Sequence, residues 1–193
     1  QGSLEQQGLL ITSIIAFSGL RPGSPKMLEG RYGVSTLTSK HVKITGSKVE
    51  LTFIGKQGKE NTATFRNKAV ADALRPYVKG GNQVNKPLFA SGALKKSRSV
   101  LPSGMYLKDL RTIKATNTAM EVLDNVVTPP PLTGNKRKDK RLLAKAILEA
   151  STEVAAVINN TPAVARSTYV HPQVFRQWAI ERAGADPSLF EDV

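Results

Sequence analysis

The sequence predicts an α+β protein, a mostly α-helical domain with a small three-stranded antiparallel sheet inserted in it. Several long segments repeat apolar residues at the spacing of one helix face. Between residues 34 and 65, short runs instead have the composition of strands and are separated by turn residues. Aromatic residues make up only 6% of the chain, which suits a helix-rich protein better than a β-sandwich.

The N-terminal half is predicted to begin with a helix over residues 3–18. Ser3 can cap this helix and Gly19 stops it, so Arg21 follows directly after a helix end. A β-meander of three strand-like runs is predicted next: VSTLT (34–38) with HVKIT (41–45), then KVELTFI (48–54), and then NTATF (61–65). Lys56 then lies in the last hairpin loop, within the turn sequence GKQGK, and projects from the sheet.

The C-terminal half is predicted to be helical. The predicted helices cover residues 68–79, 105–123 and 141–158, and a last helix begins at Pro172. The segment 124–140 is predicted to be a basic, proline-rich loop because three consecutive prolines cannot continue a helix. Its run NKRKDKR (135–141) indicates a solvated or DNA-facing linker rather than a nuclear import signal. We expect residues 1–193 to form a single domain.

The charge of the chain indicates a polyanionic partner. There are 28 Lys and Arg residues against 15 Asp and Glu, a formal net charge of +13. So large an excess on a small protein favours nucleic acid over a membrane surface. The alternative is a solvated basic surface without a specific partner.

Several classes of site and location are not expected. The chain has no cysteine, which excludes disulfides, zinc ribbons and thiol catalysis. It has only two histidines, His41 and His171, and no carboxylates at a spacing that would complete a metal site. The longest apolar run, at residues 9–17, is too short and too rich in hydroxyls to span a bilayer, and no signal peptide is visible. We therefore expect no bound metal, no membrane contact and no secretion.

Four residues have the side chains that metal-free cleavage of a phosphodiester requires: a nucleophile, cations around the phosphate and a proton donor. Tyr169 can supply the nucleophile, although a phenol is only about one part in a thousand ionised at neutral pH and needs nearby positive charge. Arg21 and Arg111 can bind phosphate oxygens with both prongs of the guanidinium. Lys56 can act as the general acid. Each residue alone also has an ordinary structural explanation, as a packing tyrosine, a solvated arginine or a turn lysine.

Five segments in order resemble the catalytic boxes of type IB DNA topoisomerases, especially the short poxviral and bacterial form. They are GLRPG (19–23), RYGVSTLTSKHVKI (31–44), FIGKQGK (53–59), KDLRT (108–112) and NNTPAVARSTYVHP (159–172). The resemblance extends from about residue 10 to 175 and is most specific in the last two segments. It implies an enzyme of the topoisomerase IB and tyrosine recombinase fold. Such an enzyme cleaves and rejoins DNA through a 3′-phosphotyrosyl intermediate and relaxes supercoils without ATP, metal or other cofactor.

The resemblance also implies a role for each matching residue. Arg21 and Arg111 match the arginines that hold the scissile phosphate. Lys56 matches the hairpin lysine that protonates the leaving 5′ oxygen, and Tyr169 matches the nucleophile. Asn160 occupies a position where many members of the family have histidine. Its amide could still donate a hydrogen bond to a phosphate oxygen, and the alternative is an ordinary asparagine at a helix C-terminus.

Further basic residues match positions near the DNA backbone in the family. Lys108 and Arg166 do so directly, and Lys26, five residues after Arg21, is a weaker candidate. The implied partner is double-stranded DNA, bound by a monomer. The implied location is the cytoplasm or nucleoid of a bacterium, or the virion or host compartment of a virus.

Two departures from the family keep other functions open. The family's N-terminal β-rich clamp domain is absent from this chain, so we expect a catalytic domain of a longer protein or a reduced variant, with weaker and more salt-sensitive DNA binding. AFSGLRPGS also resembles the arginine box of tyrosine recombinases, which perform strand exchange. That family usually has an acidic residue in place of Ser24 and histidine in place of Lys108. A third possibility is a DNA-binding module without catalysis, because Asn160 replaces the family histidine.

Overall fold

A computed structural model describes residues 2–24, 30–79 and 85–190. The chain divides into two compact units, Gln1–Arg111 and Thr112–Val193, called here the first and second unit. Helices dominate, and the described residues contain a small antiparallel sheet of three strands, which confirms the predicted fold class. That residues 1–193 act as a single catalytic domain stays a prediction.

The first helix of the first unit, α1 (Leu4–Ser18), begins and ends as predicted. The Ser3 hydroxyl accepts a hydrogen bond from the Gln6 N–H at 3.2 Å, and the Gln6 side chain accepts one from the Ser3 N–H at 2.8 Å. Gly19 ends the helix in the left-handed region at φ 69°. Arg21 therefore lies just beyond the helix, in a segment whose direction the glycine sets.

The sheet contains β1 (Val42–Thr45), β2 (Lys48–Ile54) and β3 (Glu60–Arg66) in that order. Its inward side chains pack with α1 in the core of the first unit; they are Val42, Val49, Leu51, Phe53 and Phe65. The predicted strand at 34–38 is wrong. Residues Val34–Thr36 and Ser39–His41 form 3₁₀ turns instead. The reason is that the Val34 and Ser35 N–H groups donate to carbonyls of the segment after α1, and not to a neighbouring strand.

Two more helices complete the first unit: α2 (Lys68–Lys79), as predicted, and α3 (Ala93–Ser99), which the sequence analysis did not identify. α3 packs closely against α1 at Gly8. A Cβ atom on Gly8 would lie 2.8 Å from the main chain of Lys96 and Ser97. The Thr12 hydroxyl also donates to the Ser97 carbonyl at 3.0 Å. The pairing therefore depends on long-range contacts that local sequence patterns do not reveal.

The second unit is built from helices. α4 (Leu107–Asn125) begins in the first unit and continues into the second, where it is followed by α5 (Lys136–Ile158), α6 (Pro162–Val164) and α7 (Pro172–Glu181). Buried alanines of α4 and α5 belong to the same core cluster as Phe175 and Trp178 of α7. The Trp178 indole donates to the Leu123 carbonyl at 2.9 Å. None of the helices in the described residues is long and apolar enough to cross a bilayer.

The predicted loop at 124–140 is shorter than expected, because α5 begins at Lys136 and not at residue 141. Asn135 caps the helix through a hydrogen bond from the Lys138 N–H at 3.0 Å. The buried Asp139 carboxylate accepts the N–H groups of Thr133 and Gly134 at 2.9 Å each. Most of the NKRKDKR run, predicted as a linker, therefore forms the first turns of α5. Its lysines and arginines are compatible with a helix, and Asn135 caps the start.

Asp139 should make the stability of the protein pH-dependent in acid. The hydrogen bond from the Thr133 N–H, helped by the Thr133 hydroxyl and the Gly134 N–H, holds the pKa of the Asp139 carboxyl below its usual value. Its stabilising contribution is therefore present above the unfolded-state pKa of about 3.9 and is lost as the pH falls through the folded-state pKa. In urea unfolding, we expect Asp139→Asn to have a lower midpoint than wild type at pH 7, with the gap narrowing below about pH 4. A gap that does not change with pH would contradict this assignment.

Candidate active site

Arg111, on α4, is buried, with 4% of its surface exposed. Its Nε donates a hydrogen bond to the Gly19 carbonyl at 2.6 Å. That carbonyl belongs to the end of α1, two residues before Arg21, so one short segment both anchors Arg111 and carries Arg21. This buried hydrogen bond fixes the orientation of the planar guanidinium.

Arg21 is half-buried, and its main chain is held by the segment at residues 33–36. The Val34 N–H donates to the Arg21 carbonyl at 3.0 Å. Gly23 and Gly33 cross so closely that a Cβ atom on Gly33 would lie 2.4 Å from the Gly23 Cα. In the sequence the two glycines belong to separate motifs, GLRPG and RYGVSTLTSKHVKI. The structure shows that they let the two motifs meet, which sets the path of the chain on both sides of Arg21.

Lys56 is exposed in the hairpin between β2 and β3, where the sequence placed it. The hairpin is closed by a hydrogen bond from the Gly55 N–H to the Lys59 carbonyl at 2.8 Å. The buried Asn61 side chain donates to the same carbonyl at 2.9 Å. Gln57 takes φ 62°, an uncommon value for a residue other than glycine. Lys56 therefore extends from an internally bonded turn.

Arg31 is a basic residue beside this turn that the sequence analysis did not select. A Cβ atom on Gly58 would lie 2.7 Å from Arg31 Nη1, so the guanidinium lies directly against the glycine. The adjacent Tyr32 N–H donates to the Ile54 carbonyl at 2.8 Å, which ties this segment to the end of β2. Arg31 opens the motif RYGVSTLTSKHVKI, but nothing in that motif alone places it next to the Lys56 turn.

In the second unit, Tyr169 ends a π-helical turn, Ala165–Tyr169, that directly follows α6. The Val170 N–H donates to the Ala165 carbonyl at 3.0 Å across five residues. Such single π turns occur frequently at functional sites. Tyr169 is half-buried against the core of the second unit, and Val170 after it is 4% exposed. The Tyr169 side chain therefore packs against the core of the second unit, and the buried Val170 anchors the residue that follows it.

Asn160 follows the end of α5 and carries a donor without a partner. Asn159, and not Asn160, takes the left-handed position that ends the helix, at φ 52°. The Asn160 Oδ1 accepts the Thr161 N–H at 3.0 Å, while Nδ2 is buried and has no hydrogen-bond partner among the described residues. A buried donor in this state costs about 1–3 kcal/mol. It is therefore suited to an oxygen that arrives with a ligand.

The other predicted DNA-binding residues lie on the surface or outside the described residues. Arg166 is exposed within the π turn that ends at Tyr169. Lys108 is exposed in the first turn of α4, with its ammonium 5.6 Å from the centre of the Tyr106 ring. Lys26 lies outside the described residues. Both described side chains are exposed to solvent, and their contact with DNA stays a prediction.

The two histidines have structural contacts. His41 is buried, its Nδ1 lies 3.0 Å from the Thr38 N, and its ring centre is 4.2 Å from that of Tyr32. Burial, and to a lesser degree Lys40, lowers the pKa of His41. His171 accepts the Gln173 N–H at 3.3 Å and so caps α7. Within the described residues, no group of three or more His, Asp or Glu side chains could hold a metal ion.

The structure thus places the predicted site residues in two sets. Arg21, Lys56, Lys108 and Arg111 belong to the first unit, and Asn160, Arg166 and Tyr169 to the second. In the first unit, one segment connects the two arginines. In the second unit, the π turn contains Arg166 and Tyr169. Asn160, whose Nδ2 has no partner among the described residues, lies between α5 and that turn.

Comparison with known proteins gives two matches. Residues 2–185 match the family model described as "Eukaryotic DNA topoisomerase I, catalytic core". The chain is also 26% identical over 156 residues to a DNA topoisomerase 1B of Acanthamoeba polyphaga mimivirus. That alignment covers 72% of this chain and 44% of the relative, so the chain spans less than half of the length of the viral protein.

Proposed function

Because the chain belongs to the family of the DNA topoisomerase I catalytic core, we propose that it cleaves and rejoins one strand of duplex DNA and so relaxes supercoils. The observation that carries the proposal is the anchoring of buried Arg111 to the Gly19 carbonyl, in the segment that continues to Arg21. Two guanidiniums organised by one segment are a suitable clamp for a phosphodiester.

The proposed reaction is a transesterification at phosphorus. The Tyr169 hydroxyl loses its proton to solvent as its oxygen attacks the phosphorus, a P–O bond to tyrosine forms, and the bond to the 5′ oxygen breaks. Lys56 gives a proton to that leaving oxygen, while Arg21, Arg111 and Asn160 stabilise the charge on the non-bridging oxygens. Rejoining is the reverse attack by the 5′ hydroxyl on the 3′-phosphotyrosyl bond.

The proposed reaction uses neither ATP nor a metal ion. One phosphodiester is exchanged for another of similar energy, so rejoining needs no external source of free energy. The arginines and the lysine supply the positive charge that the phosphate requires in the transition state.

Covalent trapping tests the proposal. The protein is incubated in EDTA, without ATP, with a duplex whose cleaved strand ends shortly after the scissile phosphate, so that the leaving fragment diffuses away. We expect a detergent-resistant adduct on the 3′ phosphate, and relaxation of plasmid DNA under the same conditions. An adduct with exchange of strands between two duplexes would instead support a tyrosine recombinase. Binding without an adduct would show a DNA-binding module and overturn the proposed chemistry.

The proposed partner is double-stranded DNA, bound by a monomer through its phosphates. About six phosphate contacts would give a slope near −5 for the logarithm of the binding constant against the logarithm of salt concentration. The protein would act where its DNA is found, which is the nucleoid for a bacterial source and the virion or host compartment for a viral one.

Asn160→Asp separates the proposed role of the amide from a structural one. The two side chains have the same shape, and aspartate keeps the acceptor for the Thr161 N–H. It replaces the unpartnered donor with a negative charge that repels a phosphate. We expect single-turnover cleavage to fall about 100-fold or more, with only a small change in thermal stability.

Asn159→Asp is the matched control, because it adds the same charge one residue away, at a position where a left-handed backbone is tolerated. This variant should retain most of the cleavage rate. Equal losses in the two variants would show that added charge, and not loss of the Asn160 donor, explains the effect.

A further inference from the structure

Thr116, on α4 in the second unit, bridges the main chain on both sides of Val170. Its Oγ1 lies 3.3 Å from the Tyr169 carbonyl oxygen and 3.3 Å from the His171 nitrogen. The hydroxyl donates to the carbonyl and accepts from the N–H. One side chain on α4 thus contacts the two peptide groups that flank the residue after Tyr169.

The segment that Thr116 contacts has no regular structure to hold it. The π turn ends at Tyr169, and Val170 and His171 are extended, at φ −95°, ψ 131° and φ −66°, ψ 127°, before α7 begins at Pro172. The Val170 N–H is bonded back to the Ala165 carbonyl. Thr116 binds the main-chain groups on either side of Val170: its hydroxyl donates to the Tyr169 carbonyl and accepts from the His171 N–H.

Burial of Val170 and the hydrogen bond from its N–H to the Ala165 carbonyl hold the centre of this segment. The Val170 side chain is 4% exposed and provides one anchor point in the core of the second unit. The two contacts of Thr116 restrict the orientation of the peptide groups around that point. The carbonyl carbon and the Cβ atom of Tyr169 are both bonded to its Cα atom. Restricting the orientation of the carbonyl therefore also restricts the direction of the phenol.

We propose that Thr116 is a positioning residue that orients Tyr169 for attack on the phosphate. The inference rests on the proposed function, in which Tyr169 is the nucleophile. Both contacts are longer than the usual O–H···O and N–H···O distances, so their effect is moderate. Because small misplacements of reacting groups cost up to about 100-fold in rate, we expect a loss of about tenfold when these contacts are removed.

Thr116→Val tests the inference, because valine keeps the shape of the side chain and removes only the hydroxyl. In single-turnover assays, we expect both cleavage and rejoining to slow about tenfold, with an unchanged dissociation constant for DNA. The two rates should fall together, since both directions pass through the same transition state, and the cleavage equilibrium should therefore stay the same. Thr116→Ser keeps the hydroxyl and should restore the rates to within about twofold of wild type.

Thr118→Val is the matched control. Thr118 lies on the same helix, but its hydroxyl donates to the Lys114 carbonyl within α4, at 2.8 Å. Its removal should leave both rates at the wild-type level. Equal rates in Thr116→Val and Thr118→Val would overturn the inference, as would a Thr116→Ser variant as slow as Thr116→Val. The inference would also be overturned if Thr116→Val had a larger dissociation constant for DNA that accounted for the slower cleavage.

Hydrogen exchange separates failure of this inference from failure of the proposed function. The His171 amide should exchange faster in Thr116→Val than in Thr118→Val, because its acceptor is lost. If wild type forms no adduct, the proposed function is wrong, even when the exchange result shows that Thr116 orders the segment. If wild type forms the adduct and the exchange rates of the two variants are equal, the positioning role alone is wrong.

Discussion

Tyr169→Phe is expected to abolish the covalent adduct and plasmid relaxation while leaving DNA binding nearly unchanged. Phenylalanine keeps the ring that packs against the core of the second unit and removes only the attacking oxygen. Without that oxygen no phosphotyrosyl bond can form, so the cleavage rate should fall by at least about 10⁴-fold, to the limit of detection. Detergent gels with a labelled 3′-phosphate strand measure the adduct, and fluorescence anisotropy measures binding.

Tyr106→Phe is the control for this experiment. Tyr106 is an exposed tyrosine with the Lys108 ammonium over its ring. Its change to phenylalanine also removes one phenol oxygen, but from the first unit. It should keep full cleavage activity. If the adduct still forms in Tyr169→Phe and is lost in Tyr106→Phe, the nucleophile is Tyr106 and not Tyr169.

Arg111→Lys should have the second largest effect, a loss of about 100- to 1,000-fold in cleavage rate. Lysine keeps the positive charge, but it has neither the Nε that donates to the Gly19 carbonyl nor the planar fork that binds two phosphate oxygens. Because a positive charge remains, the dissociation constant for DNA should change only a few-fold. Single-turnover cleavage and binding titrations at the same salt concentration separate these two quantities.

Arg111→Lys should also destabilise the first unit. The hydrogen bond that it removes involves a charged donor and is buried, so the free energy of unfolding should fall by about 1.5–3 kcal/mol, measured in urea. Arg75→Lys is the matched control, because Arg75 also donates to a main-chain carbonyl, that of Gly46 at 2.9 Å, but on an exposed surface. It should leave cleavage unchanged. If both variants lose cleavage to the same extent, Arg111 has no special role at the phosphate.

Much of the fold could be predicted from the sequence because local physics decides it. The capping residues of α1, the apolar spacing of α2 and α4, and the alternation and turns of the β-meander are all short-range signals. The prediction of a strand at residues 34–38 was wrong because contacts with a distant segment outweigh local preference there. These residues have strand-like composition, yet the Val34 and Ser35 N–H groups donate to carbonyls of the segment after α1. The start of α5 was misplaced although its signals are local: Asn135 caps the helix, and Asp139 accepts N–H groups from the residues just before the cap.

The sequence by itself determined which chemical groups this protein has and the order in which they occur. Arg21, Lys56, Arg111 and Tyr169 are recognisable because the types of side chain that phosphodiester chemistry requires lie in ordered motifs. Only the tertiary structure decided how these groups are held. Four features depend on folding in this way: the bond from Arg111 to the Gly19 carbonyl, Arg31 against Gly58, the Thr116 bridge, and Asn160 Nδ2, which is buried without a partner among the described residues. Such contacts leave no local trace in the sequence, because they depend on distance and burial and not on the spacing of residues along the chain.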